Sequence, residues 1–168
     1  MKALGVVGWS GSGKTTLLTA MLPLLRARGL TVSTVKHTHH GFDMDRSGKD
    51  TFRHREAGAH EVLVASGARW ALLHELAGPE PSLLELLQRM DPVDLVLVEG
   101  YKAHPFPKVE VHRPALGKPP IWPERTDVVA VATDAALPEC DRKLLPLNDP
   151  SAVVVAVLRL LALEPPAN

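Results

Sequence analysis

"VGWSGSGKTTLL", residues 7–18, decides the fold. It contains Gly8-x-x-x-x-Gly13-Lys14-Thr15, with an apolar run before it and a helical pattern after it. That context makes a glycine turn a phosphate-binding loop. Gly11 and Gly13 tolerate backbone angles that aim amide N–H groups inward. The following helix adds partial positive charge where phosphates sit. Gly8, Ser10, Gly11, Ser12, Gly13, Lys14, Thr15 and Thr16 thus form the candidate cradle. Lys14 is placed to reach the β- and γ-phosphates, and the Thr15 hydroxyl to bind Mg²⁺.

Working outward, Ala3–Gly8 reads as a buried strand, Lys14–Arg28 as a helix and Thr31–Lys36 as a second strand. Together they make one βαβ unit. Thr51–Ala59 reads as a short helix. Glu61–Ser66 and Arg69–Leu76 read as strands of a hairpin turning at Gly67-Ala68. Ser82–Met90 is a helix with Ser82 and Glu85 at capping-box spacing. Val93–Val98 is a continuous apolar strand of the kind a doubly covered sheet needs, Val109–Val111 a short strand, Val128–Ala132 another buried strand, and Pro150–Leu163 a closing helix. The expectation is one α/β domain over residues 1–168, a three-layer phosphate-loop sandwich with a mainly parallel sheet and an antiparallel hairpin portion.

Composition narrows the function. Lys plus Arg and Asp plus Glu each number 19, so formal charge is zero. That argues against bulk binding of nucleic acid or a membrane surface. The N-terminal MKALGVVG reads as a strand rather than a signal peptide. No stretch approaches the roughly 20 apolar residues of a membrane span. A single cysteine, Cys140, fits a reducing cytoplasm.

Three further features can carry chemistry. VDLVLVEG places Glu99 at the carboxyl end of a strand, where such sheets gather ligands, so Glu99 is the candidate acidic partner for Mg²⁺. Asp94, at the other end, reads as a capping or solvated residue. The loop Lys36–Asp50, KHTHHGFDMDRSGKD, offers Asp43 and Asp45 as further Mg²⁺ contacts and Lys36, His37 and Lys49 as phosphate contacts. His37, His39 and His40 also permit a transition-metal reading. Lys102, Lys108 and Arg113 can serve a second, anionic ligand or simply line an edge strand. For base choice there is no N-K-x-D. Asp134, after VVAVA, and Asp149, before the last helix, are the two carboxylates placed to accept from guanine N1–H and its amine. No nucleophile or positioned general base stands out, so no catalytic residue is assigned.

In their order, GWSGSGKTTL, VKHTHH-x-FDMD-x-x-GKDT-x-RHR-x-AGA, VEGYK and FPKVEVHR closely resemble the molybdopterin-guanine dinucleotide biosynthesis protein B (MobB) family. The resemblance covers almost the whole chain. It implies a dimeric, GTP-binding accessory protein of molybdenum cofactor synthesis with weak hydrolysis. Such a protein works beside the guanylyltransferase that joins GMP to molybdopterin, the implied second ligand. By motif order the chain also resembles the wider class of phosphate-loop proteins that includes dethiobiotin synthetase, which supports Glu99, and Asp43 or Asp45, as Mg²⁺ contacts. An ATP-dependent small-molecule kinase or ligase and a metal-delivery GTPase are the competing readings.

Overall fold

The computed structural model describes residues 1–38 and 41–163. The apolar run before the glycine loop is strand β1 (Lys2–Val7), followed by helix α1 (Lys14–Arg26) and strand β2 (Val32–Lys36). Helix α1 stops two residues short of the expected end. Gly29, at φ 78°, closes it: Gly29 N donates to Arg26 O and Leu30 N to Leu25 O. A left-handed glycine of this kind satisfies the last carbonyls of a helix.

Further strands are β5 (Leu95–Glu99), β6 (Lys108–His112), β7 (Val128–Thr133) and β8 (Lys143–Pro146), with helix α4 (Pro150–Leu160) at the end. β2, β5, β1, β6, β7 and β8 form one sheet in that order, and every pairing is parallel. The antiparallel hairpin, β3 (Glu61–Ala65) with β4 (Trp70–His74), is a separate two-stranded sheet rather than a portion of the main one. Where the sequence reads as one domain, contacts divide the chain into two compact units. One comprises Met1–His37 and Met90–Asn168, the other Thr38–Arg89.

In the first unit, alternation splits the sheet's side chains between two faces. Leu4, Val6, Leu95, Leu97, Val109, Val111, Ala130 and Ala132 meet α1 and α4 in the main core. The opposite face carries a smaller cluster of Val7, Val128, Val131 and Trp122, the last from a 3₁₀ turn at Trp122–Glu124. In the second unit, α2 (Asp50–Glu56) packs on β3. Helix α3 (Leu83–Gln88) starts at the expected capping box: Glu85 N donates to Ser82 Oγ, and Ser82 N to Glu85 Oε2. Asp94 ties the ends of two strands, accepting from Thr31 N and Thr31 Oγ1 at 2.7 Å each.

Strand β6 buries a row of polar groups, which corrects one expectation. Lys108, read as a possible contact for an anionic ligand, is fully buried. Its stem fills the space above Gly5, where an added Cβ would meet Lys108 Cγ at 2.7 Å. Its ammonium donates to the carbonyls of His104 and Phe106 and to Asp127 Oδ2, the last at 2.5 Å. Arg125 holds the other side of that carboxylate through Nε and NH2. A cation so enclosed fastens β6 to the start of β7 and has no donor left for a ligand.

Arg125, and after it Lys108, hydrogen-bond the charged form of Asp127 and hold its carboxyl well below the usual carboxylate range. A depressed folded-state pKa contributes stability above the unfolded value and loses it as pH falls toward the folded one. Asp127→Asn leaves Lys108 without its counter-charge and is expected to cost about 3 kcal/mol at neutral pH. The gap to wild type narrows once pH drops below about 4. Urea unfolding at pH 7 and pH 3 checks this; a gap that does not shrink in acid contradicts it.

Candidate functional site

The phosphate loop is shaped by its glycines. Gly8 lies at φ 148°, and a Cβ there would meet Val111 O at 2.5 Å and Ser12 Oγ at 2.7 Å. Only glycine lets β1 end this close to β6. Gly13, at φ 98°, turns the chain into α1 without a side-chain cap, which leaves the first amides of the helix open. Lys14 Nζ folds back over the loop to Gly8 O (3.1 Å) and Trp9 O (3.0 Å). Burial lowers the pKa of Lys14; Glu99 opposes that shift, and Lys102 and Lys36 add to it. A phosphate would offer the ammonium stronger acceptors than two carbonyls do.

Glu99 ends β5 beside the phosphate loop. Val6 of β1 pairs in register with Glu99 of β5. The Thr15 hydroxyl reaches Glu99 Oε1 at 3.1 Å and Oε2 at 3.2 Å. Lys36 Nζ, from the neighbouring β2, stands 3.8 Å from Glu99 Oε1. Ser10, Gly11, Gly13, Lys14, Thr15, Thr16, Lys36 and Glu99 line one cavity of about 400 Å³. Its donors and its single carboxylate suit a magnesium–triphosphate. Ser12 Oγ is buried with no hydrogen-bond partner among the described residues, a group that a bound phosphate or its water would satisfy.

Glu99 is aimed by an unusual turn. Gly100 has φ 100°, and a Cβ on it would meet His37 Cβ and O at 3.1 Å. The next residue, Tyr101, is buried and also left-handed, at φ 50°. A non-glycine residue there stores about 1 kcal/mol and marks a position its surroundings enforce. The Tyr101 ring sits between His37, at 4.3 Å between centroids, and His104, at 4.8 Å. His37 therefore braces the Glu99 turn: its backbone N–H donates to Glu99 O and its ring lies tilted against Tyr101.

The base candidates look different in three dimensions. Asp134 pairs with Arg113, whose Nε also donates to Ser12 O of the phosphate loop at 3.1 Å. Asp149 is the N-cap of α4, its Oδ1 accepting from Ala152 N at 3.0 Å. A second cavity of about 220 Å³ adjoins the loop, lined by Gly13, Thr16, Leu17, Ala20, Arg113, Leu147, Asn148 and Pro150. Sequence reasoning reached Asn148 and Pro150 of this wall as neighbours of Asp149 but missed Leu147, because β8, which leads to it, is short and partly exposed. Arg113 as a brace was open to discovery, since it directly follows β6 at the ligand-gathering edge.

Asp43, Asp45 and Lys49 belong to the second unit. Both oxygens of Asp43 take the Arg55 guanidinium, at 2.9 and 3.0 Å. That pairing lowers the Asp43 pKa. Asp45 Oδ1 accepts from Arg46 N and Thr51 Oγ1, while its Oδ2 is buried with no hydrogen-bond partner among the described residues. Lys49 precedes α2 as its N-cap residue. His39 and His40 lie outside the described residues. Among those described, no group of three or more His, Cys, Asp or Glu could hold a metal.

Residues 3–134 match the family model described as Molybdopterin guanine dinucleotide synthesis protein B, MobB. The chain belongs to the MobB family. The Haemophilus influenzae molybdopterin-guanine dinucleotide biosynthesis adapter protein is 48% identical over 149 residues, 86% of this chain and 81% of that one. The protein of the same description from Escherichia coli is 43% identical, covering 87% and 85%. Among solved structures, a molybdopterin-guanine biosynthesis protein B is similar with TM-score 0.75 at 27% identity, covering 95% of this chain and 99% of that one. Bacillus subtilis MobB follows with TM-score 0.74 at 27% identity, covering 96% and 98%. This MobB-family chain thus shares the phosphate-loop fold of those proteins over nearly its full length.

Two substitutions test the geometry. Lys14→Ala removes the ammonium folded back onto Gly8 O and Trp9 O and is expected to weaken triphosphate binding by about a hundredfold. Gly100→Ala puts a Cβ against His37 and should displace Glu99, weakening binding in Mg²⁺ but not in its absence. Calorimetry with and without Mg²⁺ reads both; equal loss in the two conditions for Gly100→Ala would argue against the turn as the aiming device.

Proposed function

We propose that this protein is a GTP-binding adapter of molybdopterin-guanine dinucleotide biosynthesis, serving the guanylyltransferase that joins GMP to molybdopterin. The observation that carries this is the Thr15–Glu99 contact at the mouth of the glycine loop. A magnesium ion there would neutralise triphosphate charge between a hydroxyl and a carboxylate. Gly8 to Thr16 hold the phosphates, and Lys36 adds charge at the rim. The cavity adjoining Gly13 and Thr16 receives the nucleoside. Asp134 lines a neighbouring cavity that shares Leu147 and Asn148, and it reads the base only by exchanging Arg113 for it; Asp149, the cap of α4, does so only through the oxygen its cap leaves over.

Turnover should be slow. Glu99 is the one carboxylate lining the phosphate cavity, and Thr15 already engages it. No described side chain in that lining is set to orient an attacking water, so hydrolysis depends on what a partner supplies. Molybdopterin is the second ligand, and the compartment is the cytoplasm, where the free Cys140 stays reduced. No helix among the described residues is long and apolar enough to cross a membrane.

The working form is a homodimer. One face of the β3–β4 hairpin carries Leu63 opposite Leu72 and Ala65 opposite Trp70. Leu63, Trp70 and Leu72 are 61%, 66% and 45% exposed, unusual for large apolar groups grouped on one ribbon. An isolated two-stranded sheet is marginal in water and gains from being covered.

Calorimetry of GTP against ATP, in Mg²⁺, tests the nucleotide assignment. A GTP preference of about tenfold or more is expected; ATP preference with rapid turnover on a small acceptor would establish the kinase or ligase reading instead. For assembly, sedimentation should give a dimer for wild type and a monomer for Leu63→Lys/Leu72→Lys. A monomeric wild type refutes the dimer.

A further inference from the structure

The second residue of the phosphate loop is a tryptophan whose indole stands in a built environment. Trp9 is 36% exposed, yet it is not loose: its Nε1 donates to Pro119 O at 2.7 Å. Pro119 belongs to a segment that is itself anchored from beneath. Glu110, fully buried, accepts from Ile121 N through both oxygens and from Trp122 N, at 2.9–3.0 Å. His112, two residues along β6, lies 3.7 Å from the same carboxylate and edge-on to Trp122. Buried polar groups spend their hydrogen bonds here on holding one loop in place, and that loop holds the indole.

Two ammonium groups attend the ring. Lys102 Nζ is 4.6 Å from its centroid and Lys118 Nζ 6.0 Å. They come from different connections, Lys102 from the turn after β5 and Lys118 from the segment after β6. Lys102 is near enough to Lys14 to act on its charge. Lys102 therefore lies within electrostatic reach of Lys14 on one side and over the indole on the other. A cation within about 6 Å of an aromatic face is attracted to it, and an ammonium has three N–H donors with which to meet an anion beside the ring. A fixed, part-exposed aromatic surface beside two lysines is also how proteins take up flat heterocycles that carry negative charge.

We propose that Trp9, Lys102 and Lys118 form a second ligand site, contiguous with the phosphate loop, for a flat heteroaromatic anion. The indole stacks on the ring system and the two ammonium groups bind its acidic substituent. In this protein that ligand is the pterin; this identification rests on the adapter function proposed above. The arrangement sets the pterin beside the phosphate end of the nucleotide, with Trp9 as the residue shared by both sites. The same lysines could instead be met by the γ-phosphate of the nucleotide, so the test separates a pterin anion from a nucleotide anion.

Pterin-6-carboxylate serves as the probe. Its own fluorescence is followed on titration with full-length protein saturated with GTPγS and Mg²⁺. Wild type should bind and quench it. Trp9→Leu should abolish the quench and weaken binding about tenfold, the loss expected for a stacked base. Lys118→Ala should weaken the carboxylate probe several-fold while leaving GTPγS affinity unchanged. Unsubstituted neutral pterin should bind wild type and Lys118→Ala equally. Binding of the carboxylate by Trp9→Leu at wild-type strength overturns the site. So does a wild type that does not bind the probe, and if such a protein still binds GTPγS, the nucleotide assignment stands while the second site falls. A loss of GTPγS affinity in Lys118→Ala without loss of probe binding would assign that lysine to the nucleotide and also overturn the proposal.

Discussion

The contact between the Thr15 hydroxyl and the Glu99 carboxylate is the constraint on which the rest depends. It exists because β1 and β5 are parallel neighbours whose register sets Val6 beside Glu99. A parallel sheet brings the ends of adjacent strands to one edge, and the βα turn after β1 brings a helix N-terminus to the same edge. The hydroxyl and the carboxylate therefore come from residues 84 positions apart, yet neither needs a flexible loop to reach the other. The Gly100–Tyr101 turn and its contact with His37 then fix the carboxylate's direction.

The other side of the sheet shows what keeps this edge rigid. Lys108, Glu110 and His112 alternate along β6 with the apolar Val109 and Val111, so a strand buried at every position carries three polar side chains. Burial raises the pKa of the Glu110 carboxyl, against the pull of the Ile121 and Trp122 amides, and lowers that of His112. Such groups are costly unless each finds partners. Lys108 finds the carbonyls of His104 and Phe106 and the Asp127 carboxylate, Glu110 finds the amides of Ile121 and Trp122, and His112 lies against Glu110 and Trp122. Arg113 extends the row, joining Ser12 O to Asp134. Stability and site geometry are supplied by the same side chains.

Much of this was legible in the sequence, and the physical reason differs from part to part. The glycine loop, α1 and β5 declare themselves because local spacing alone specifies them. Glu99 over Asp94 followed from chain direction in a parallel sheet. The capping box at Ser82 was readable because both partners lie within one turn. Strand β8 was not: KLLP is short, partly exposed, and contains a proline at its end. The burial of Lys108 was hidden because it depends on the missing Cβ of Gly5, over a hundred positions away, and on Asp127. The separation of the hairpin into its own sheet could not be read from its alternation, which is the same in either setting. Position alone marks Asp134 as a base-reading candidate, whereas its pairing with Arg113 is a tertiary fact.

Whether Glu99 acts on a bound metal is the central question for the site. Electron paramagnetic resonance of Mn²⁺ in place of Mg²⁺, with GTPγS bound, measures this most directly. Wild type should show a bound-ion spectrum that Glu99→Gln weakens strongly while nucleotide is still retained without metal. An unaltered Mn²⁺ spectrum in Glu99→Gln would contradict the account.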